Sequence, residues 1–180
     1  MFRNLKVSVR LALGFGVVSI LLAAIVLLGI RSLAGVSNNV NELVTDKYPK
    51  VVMAHDLIGN ITTIAIAMRN IVIFDDPEAS RRELATIETE RTALRETLEK
   101  LKKAVASPEG RAVLDTVVDT REQYRVIQEE FLRLVAAGKR AEARDLLVNK
   151  LEGIQSTYIG TIRKLIAHQD TSMAASGKAA

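Results

Sequence analysis

Residues 31–74 read RSLAGVSNNVNELVTDKYPKVVMAHDLIGNITTIAIAMRNIVIF, and their apolar positions decide the fold. Leu33, Val36, Val40 and Leu43, and beyond them Ala54, Leu57, Ile61, Ile64, Met68 and Ile71, follow one another at spacings of three and four. That is the period of one face of an α-helix; a strand would place its side chains on one face at every second residue. Lys47 and Lys50 interrupt the stripe on either side of Pro49. A proline inside a helix removes a backbone hydrogen bond and crowds the preceding turn, so a kink is expected there, with helix on both sides.

Upstream, residues 11–30 (LALGFGVVSILLAAIVLLGI) form a run without charge between Arg10 and Arg31. Twenty residues at a helical rise of 1.5 Å cover roughly 30 Å, the thickness of a bilayer's hydrocarbon core. The spacing therefore predicts a transmembrane helix continuous with the amphipathic one. Arg3, Lys6 and Arg10 crowd the N-terminal flank and only Arg31 follows directly, so the positive-inside rule keeps residues 1–10 in the cytoplasm and exports 31–180. The alternative is a cleaved signal peptide, whose apolar region covers about 7–15 residues and ends in a small-residue cleavage site. Here the run is longer, and the helical pattern continues through its end. A buried core helix would need other segments that are apolar all round to enclose it, and the sequence has none.

Downstream, Asp75-Asp76-Pro77-Glu78 ends the first helix and starts a second, with Asp76 placed to cap and Pro77 at the first helical position. Ser107-Pro108-Glu109 repeats the device. Leu84, Ile87, Leu94, Leu98, Leu101 and Val105 stripe the second helix, and Val113, Val117, Tyr124, Ile127, Phe131 and Leu134 the third, which ends at Gly138. Leu147, Leu151, Ile154, Tyr158, Ile162 and Leu165 stripe the fourth. The expected helices span 31–74, 77–106, 108–137 and 139–172. Short connections make sequential helices antiparallel neighbours, so the fold class is all-α, an up-down-up-down four-helix bundle.

Composition narrows the function. The 180 residues include no Cys and two distant histidines, His55 and His168, which leaves nothing for thiolate chemistry and almost nothing for a zinc site. No cofactor is implied. The formal charge of +4 suggests a nucleic-acid partner until the charges are placed. Three of the four excess charges, Arg3, Lys6 and Arg10, belong to the first ten residues, and the body carries no basic stripe with interleaved aromatics. No nucleic acid is expected to bind. Asp75 with Asp76, and Glu88 with Glu90, have helix-terminus and surface explanations, and no nucleophile and base constellation suggests an enzyme.

The basic start with LKVSVRLALGFG, the YPKV at 48–51 and MRNIVIFDDPEASRREL at 68–84 resemble the N-terminal part of bacterial methyl-accepting chemotaxis proteins with a four-helix-bundle sensor domain. The resemblance spans essentially the whole chain, as first membrane span plus periplasmic bundle. It implies a homodimeric receptor in the bacterial inner membrane whose bundle binds a small molecule and passes a displacement of its last helix across the bilayer. Coupling to a histidine kinase is expected only through a cytoplasmic part outside these 180 residues. Similar bundles precede sensor kinases and cyclic-dinucleotide enzymes, so the output module stays open.

Antiparallel neighbours face each other where residue numbers sum to a constant fixed by the turn. Arg91, the one polar position in its stripe, should therefore face Tyr124, with Asn60 and Gly153 at the same level. The layer comprises Asn60, Thr62, Thr63, Thr89, Arg91, Arg121, Tyr124 and Gly153, with Gly153 expected to leave room in the core. A guanidinium stays charged, so an inward arginine needs an anionic partner. Glu88, Glu122 or Glu152 could close internal salt bridges, or Arg91 could reach the surface along its stem. Otherwise a small-molecule carboxylate is held by Arg91 and Arg121 and oriented by Tyr124, Thr89 and Thr62. Arg69 is a second candidate, since arginines on this helix in the resembling receptors can grip a carboxylate across the dimer interface. The expected function is the sensor region of a chemotaxis receptor that binds an organic acid or amino acid. A membrane-anchored bundle that binds only protein partners is the alternative from another class.

Overall fold

The structure, a computed structural model, describes residues 7–74 and 76–178, so Arg3, Lys6 and Asp75 of the readings above lie outside the described residues. The chain opens with one unbroken helical run: α1 (Val7–Glu42), a π turn at Leu43–Lys47 and α2 (Tyr48–Ile73). The apolar segment of α1 is long enough to cross a membrane, and none of its most apolar stretch is buried against the rest of the protein. Leu33, Val36 and Val40 stay exposed as well.

The irregularity expected at Pro49 takes the form of the π turn. Pro49 has no N–H to offer the preceding turn, and the chain accommodates this by sending the Tyr48 N–H to the Leu43 carbonyl, five residues back. The two lysines that interrupt the stripe are buried. Lys47 Nζ donates to the Ser172 carbonyl at 3.0 Å and pairs with Glu42 at 3.3 Å, and Lys50 pairs with Asp46 at 2.7 Å. Their stems cover apolar surface while each ammonium keeps a partner.

The next two helices, α3 (Pro77–Ala104) and α4 (Pro108–Ala136), start on the expected caps. Asp76 accepts from the Glu78 N–H at 2.9 Å and Ser107 from the Gly110 N–H at 3.1 Å, each with proline at the first helical position. Gly138, at φ 71°, closes α4: its N–H reaches the Val135 carbonyl and the Lys139 N–H the Leu134 carbonyl, a pairing that needs the left-handed residue between them. The last run consists of α5 (Arg140–Leu146), a second π turn at Leu147–Leu151 and α6 (Glu152–Lys178). This π turn was not foreseen, and the helix continues past 172 because the Ala-rich tail has high helix propensity.

The result is an all-helical four-helix bundle. Leu57, Ile61, Ile64 and Met68 of α2, Leu98 and Leu101 of α3, Val117 and Phe131 of α4, and Tyr158, Ile162 and Leu165 of α6 form one buried core. Pairing around the bundle is unequal. The α2 backbone lies close to α3 and α6, and α4 close to α6, whereas α3 and α4 scarcely approach each other.

Candidate ligand cavity

The loose side of the bundle holds a cavity of about 290 Å³. Its floor is buried and comes from all four helical runs: Ile64 of α2, Leu94 of α3, Tyr124 and Gln128 of α4, and Tyr158 of α6. Its rim carries Arg91 and Arg95 from α3 and Arg121 and Arg125 from α4, with Glu88, Thr92 and Glu129 between them. The helical period explains the arrangement. Arg91 and Arg95 lie one turn apart on α3, as do Arg121 and Arg125 on α4, so each helix offers two guanidiniums to the same gap.

The carboxylates present do not saturate these charges. Arg91 lies 3.6 Å from Glu88 and 3.5 Å from Glu129, both long for an ion pair, and both carboxylates are solvent-exposed. Arg121 pairs with its neighbour Glu122 at 2.9 Å, and Arg125 with Glu122 at 2.8 Å and Glu129 at 2.6 Å. No ion pair to Arg95 is found among the described residues. Hydrogen bonding to Arg125, with the charges of Arg125 and Arg121, holds the Glu122 carboxyl below its usual range. Exposed pairs of this kind stabilise by at most about 1 kcal/mol.

The floor makes a second demand. Tyr124 Oη, Tyr158 Oη and Gln128 Nε2 are buried without a hydrogen-bond partner, on side chains at most 3% exposed. A buried polar group left unpaired costs roughly 1–3 kcal/mol, so the floor calls for an acceptor. The two rings lie 5.8 Å apart at 39°. Burial pushes both phenols well above their ordinary value; Tyr158 reinforces this at Tyr124, against the opposing charges of Arg69 and Arg91. Both hydroxyls therefore remain protonated donors.

Of the residues singled out from sequence, the structure brings Arg91, Arg121 and Tyr124 together and leaves the others outside. Thr62 and Thr89 are exposed on the outer faces of α2 and α3, where their hydroxyls donate to the Ile58 and Ala85 carbonyls one turn back. Asn60 has the expected level, since it donates to Glu90, but it lies at a separate shallow depression with His55 and Asp56. Thr63 is half-buried and does not line the cavity either. Gly153 is exposed, and a Cβ built there meets nothing within 4 Å, so it opens no space in the core. The α6 residue at the Tyr124 level is Tyr158. The unforeseen π turn contributes to that displacement, because it takes in one more residue than an α turn. Arg69 pairs with Glu152 at 2.9 Å and joins α2 to the start of α6.

Glu129 and Tyr158 of the lining were missed, and so were Arg95, Arg125 and Gln128, which lie one helical turn beyond Arg91, Arg121 and Tyr124. The four-residue repeat was the signal for those three. Among the described residues no group of His, Asp and Glu is arranged to hold a metal ion.

Residues 4–180 match a family described as a four helix bundle sensory module for signal transduction. No individual curated protein matches the sequence. The family is a sensory one, not a catalytic one, and its match covers the membrane-length helix together with the bundle. The chain belongs to the four-helix-bundle sensory modules of the methyl-accepting chemotaxis protein family.

Proposed function

We propose that the chain is the membrane-anchored sensor region of a chemotaxis receptor, that its bundle lies in the bacterial periplasm, and that it binds a small organic anion between α3 and α4. The observation that carries this reading is the convergence of four arginines and three unpartnered buried polar atoms on one small cavity. Arg91 and Arg121 hold the anion from the rim through charge-assisted hydrogen bonds, and Tyr124 donates to the ligand from below. Arg69, paired with Glu152, lies outside this cavity. Thr62 and Thr89 have no part in it.

A bound anion would join two helices that otherwise barely meet, and Tyr158 puts α6 in the same cavity. Movement of α6 then reaches the membrane-proximal end, where Lys47 binds the Ser172 carbonyl. The exposed stripe of Leu33, Val36 and Val40 supports a homodimer packed through the first helices. Single cysteines at Val36 or Val40 should cross-link between subunits in membranes, and failure along the whole face would count against that assembly.

The ligand reading is tested by a thermal-shift screen of the full chain in nanodiscs against organic acids and amino acids. A specific ligand at 100 times its dissociation constant adds roughly 2.7 kcal/mol of stability. A protein-only structural bundle would be stabilised by none of them.

A further inference from the structure

We infer that the ligand is a short-chain dicarboxylate, with one carboxylate on the arginine rim and the other on the hydroxyl and amide donors of the floor. This rests on the anion-binding reading above and narrows it. Two separate observations specify the two ends. At the rim, four guanidiniums gather with Glu88 and Glu129, and Glu122 pairs with two of them, which leaves one positive charge in excess for one ligand carboxylate. At the floor, Tyr124, Tyr158 and Gln128 present three donors with nothing to donate to.

An apolar tail would leave those donors unpaired, and a ligand ammonium would stand among arginines while offering the floor further donors where acceptors are wanted. A second carboxylate satisfies the floor, and the neighbouring guanidiniums offset the cost of burying it. The cavity volume, about 290 Å³, is at the small end for ligand sites and fits a short chain. Two tyrosine hydroxyls on different helices make the floor a measuring device. Tyr124 belongs to α4 and Tyr158 to α6, so the buried carboxylate ties the helix that carries the rim to the helix that returns to the membrane.

Titration calorimetry of the full chain in nanodiscs with succinate, glutarate, butyrate, glutamate and inorganic phosphate tests this. Succinate or glutarate should bind at least about tenfold more tightly than butyrate and than glutamate, the discrimination that hydrogen bonds to a charged end provide. The Tyr124→Phe/Tyr158→Phe variant should lose most of that preference. Gln128→Met, which keeps the volume and removes the amide, should shift the preference in the same direction without disturbing the tyrosine pair. Butyrate binding as well as succinate, glutamate surpassing glutarate, or phosphate alone binding would each overturn the dicarboxylate assignment and leave the anion site standing. Absence of binding by every anion in a folded protein would remove both.

Discussion

Two contacts between helices in this bundle differ in nearly every physical respect. Between α2 and α6 the surfaces are dry: Leu57, Ile61, Ile64, Tyr158, Ile162 and Leu165 are all at most 1% exposed. Between α3 and α4 the backbones stand apart, arginines and glutamates line the gap, and polar atoms at its floor go unpaired. The first contact has the interdigitated apolar packing that holds a bundle together. The second gives up packing and gains charge, and on the proposed function it is the contact whose spacing an anion would change. Stability and responsiveness would then belong to different helix pairs.

The largest effect that separates them is the cost of truncation. Ile61→Ala should destabilise by roughly 2–5 kcal/mol, because Ile61 is fully buried and the rigid surroundings will not refill the space. Arg91→Ala, which shortens a side chain of greater length at the gap, should cost less than about 1 kcal/mol in urea unfolding. A loss at Arg91 equal to that at Ile61 would show that the gap is packed after all.

Next in size is the effect on affinity. Each charge-assisted contact contributes roughly 1.5–3 kcal/mol, so Arg91→Ala or Arg121→Ala should weaken anion binding by about tenfold to a hundredfold. An internal salt bridge predicts the reverse, a lower melting temperature with affinity unchanged. The geometry opposes it, since Glu88 and Glu129 are solvent-exposed and neither is stranded in the core when Arg91 is removed. Unchanged affinity in both folded variants would sink the site between α3 and α4 and direct attention to Arg69, the other arginine singled out from the sequence.

A smaller effect comes from the turn between the two loose helices. Asp76 and Ser107 cap α3 and α4 in the same way, and alanine at either should cost about 1 kcal/mol. Their consequences for the cavity should differ. The α2 and α3 backbones lie close together, whereas those of α3 and α4 stand apart beyond their turn. Ser107→Ala should therefore weaken anion binding as well as stability, and Asp76→Ala stability alone. Equal effects on affinity, measured by calorimetry, would break this distinction.

The same contrast decides what was legible in the sequence. Helix class, caps and the antiparallel order follow from local signals such as Asp76-Pro77 and Ser107-Pro108, and the structure has them. The register between α3 and α4 was readable because one tight, well-marked turn joins them; Arg91 and Tyr124 accordingly share a cavity. Across Gly138 the register was not legible, and Tyr158 stands where Gly153 was expected; the π turn at Leu147–Leu151, which no sequence signal announced, takes in one extra residue and accounts for only part of that shift. Level along the bundle was also easier to infer than direction around it. Thr62 and Thr89 have hydroxyls that bond their own helix, which suits an outward position as well as an inward one. The pairing of Arg69 with Glu152 likewise depends on the register of α6.

The smallest expected effect is acid sensitivity, and it too belongs to one side of the bundle. Glu122 is held below the usual carboxyl range, first by its hydrogen bond to Arg125 and then by the charges of Arg125 and Arg121. A carboxyl whose folded value is lowered contributes stability that is present above its unfolded value, near 4.5, and lost as the pH falls through the folded one. Glu122 is half exposed, so solvent screening keeps this contribution small. The urea midpoint of Glu122→Gln should fall slightly below that of the native chain at pH 6, and the two should converge by about pH 3. The deficit of Ile61→Ala should show no such convergence, because what it loses is buried apolar packing. A Glu122→Gln difference that widened on acidification would reverse the sign of this linkage and show that Arg121 and Arg125 do not stabilise the carboxylate in the folded chain.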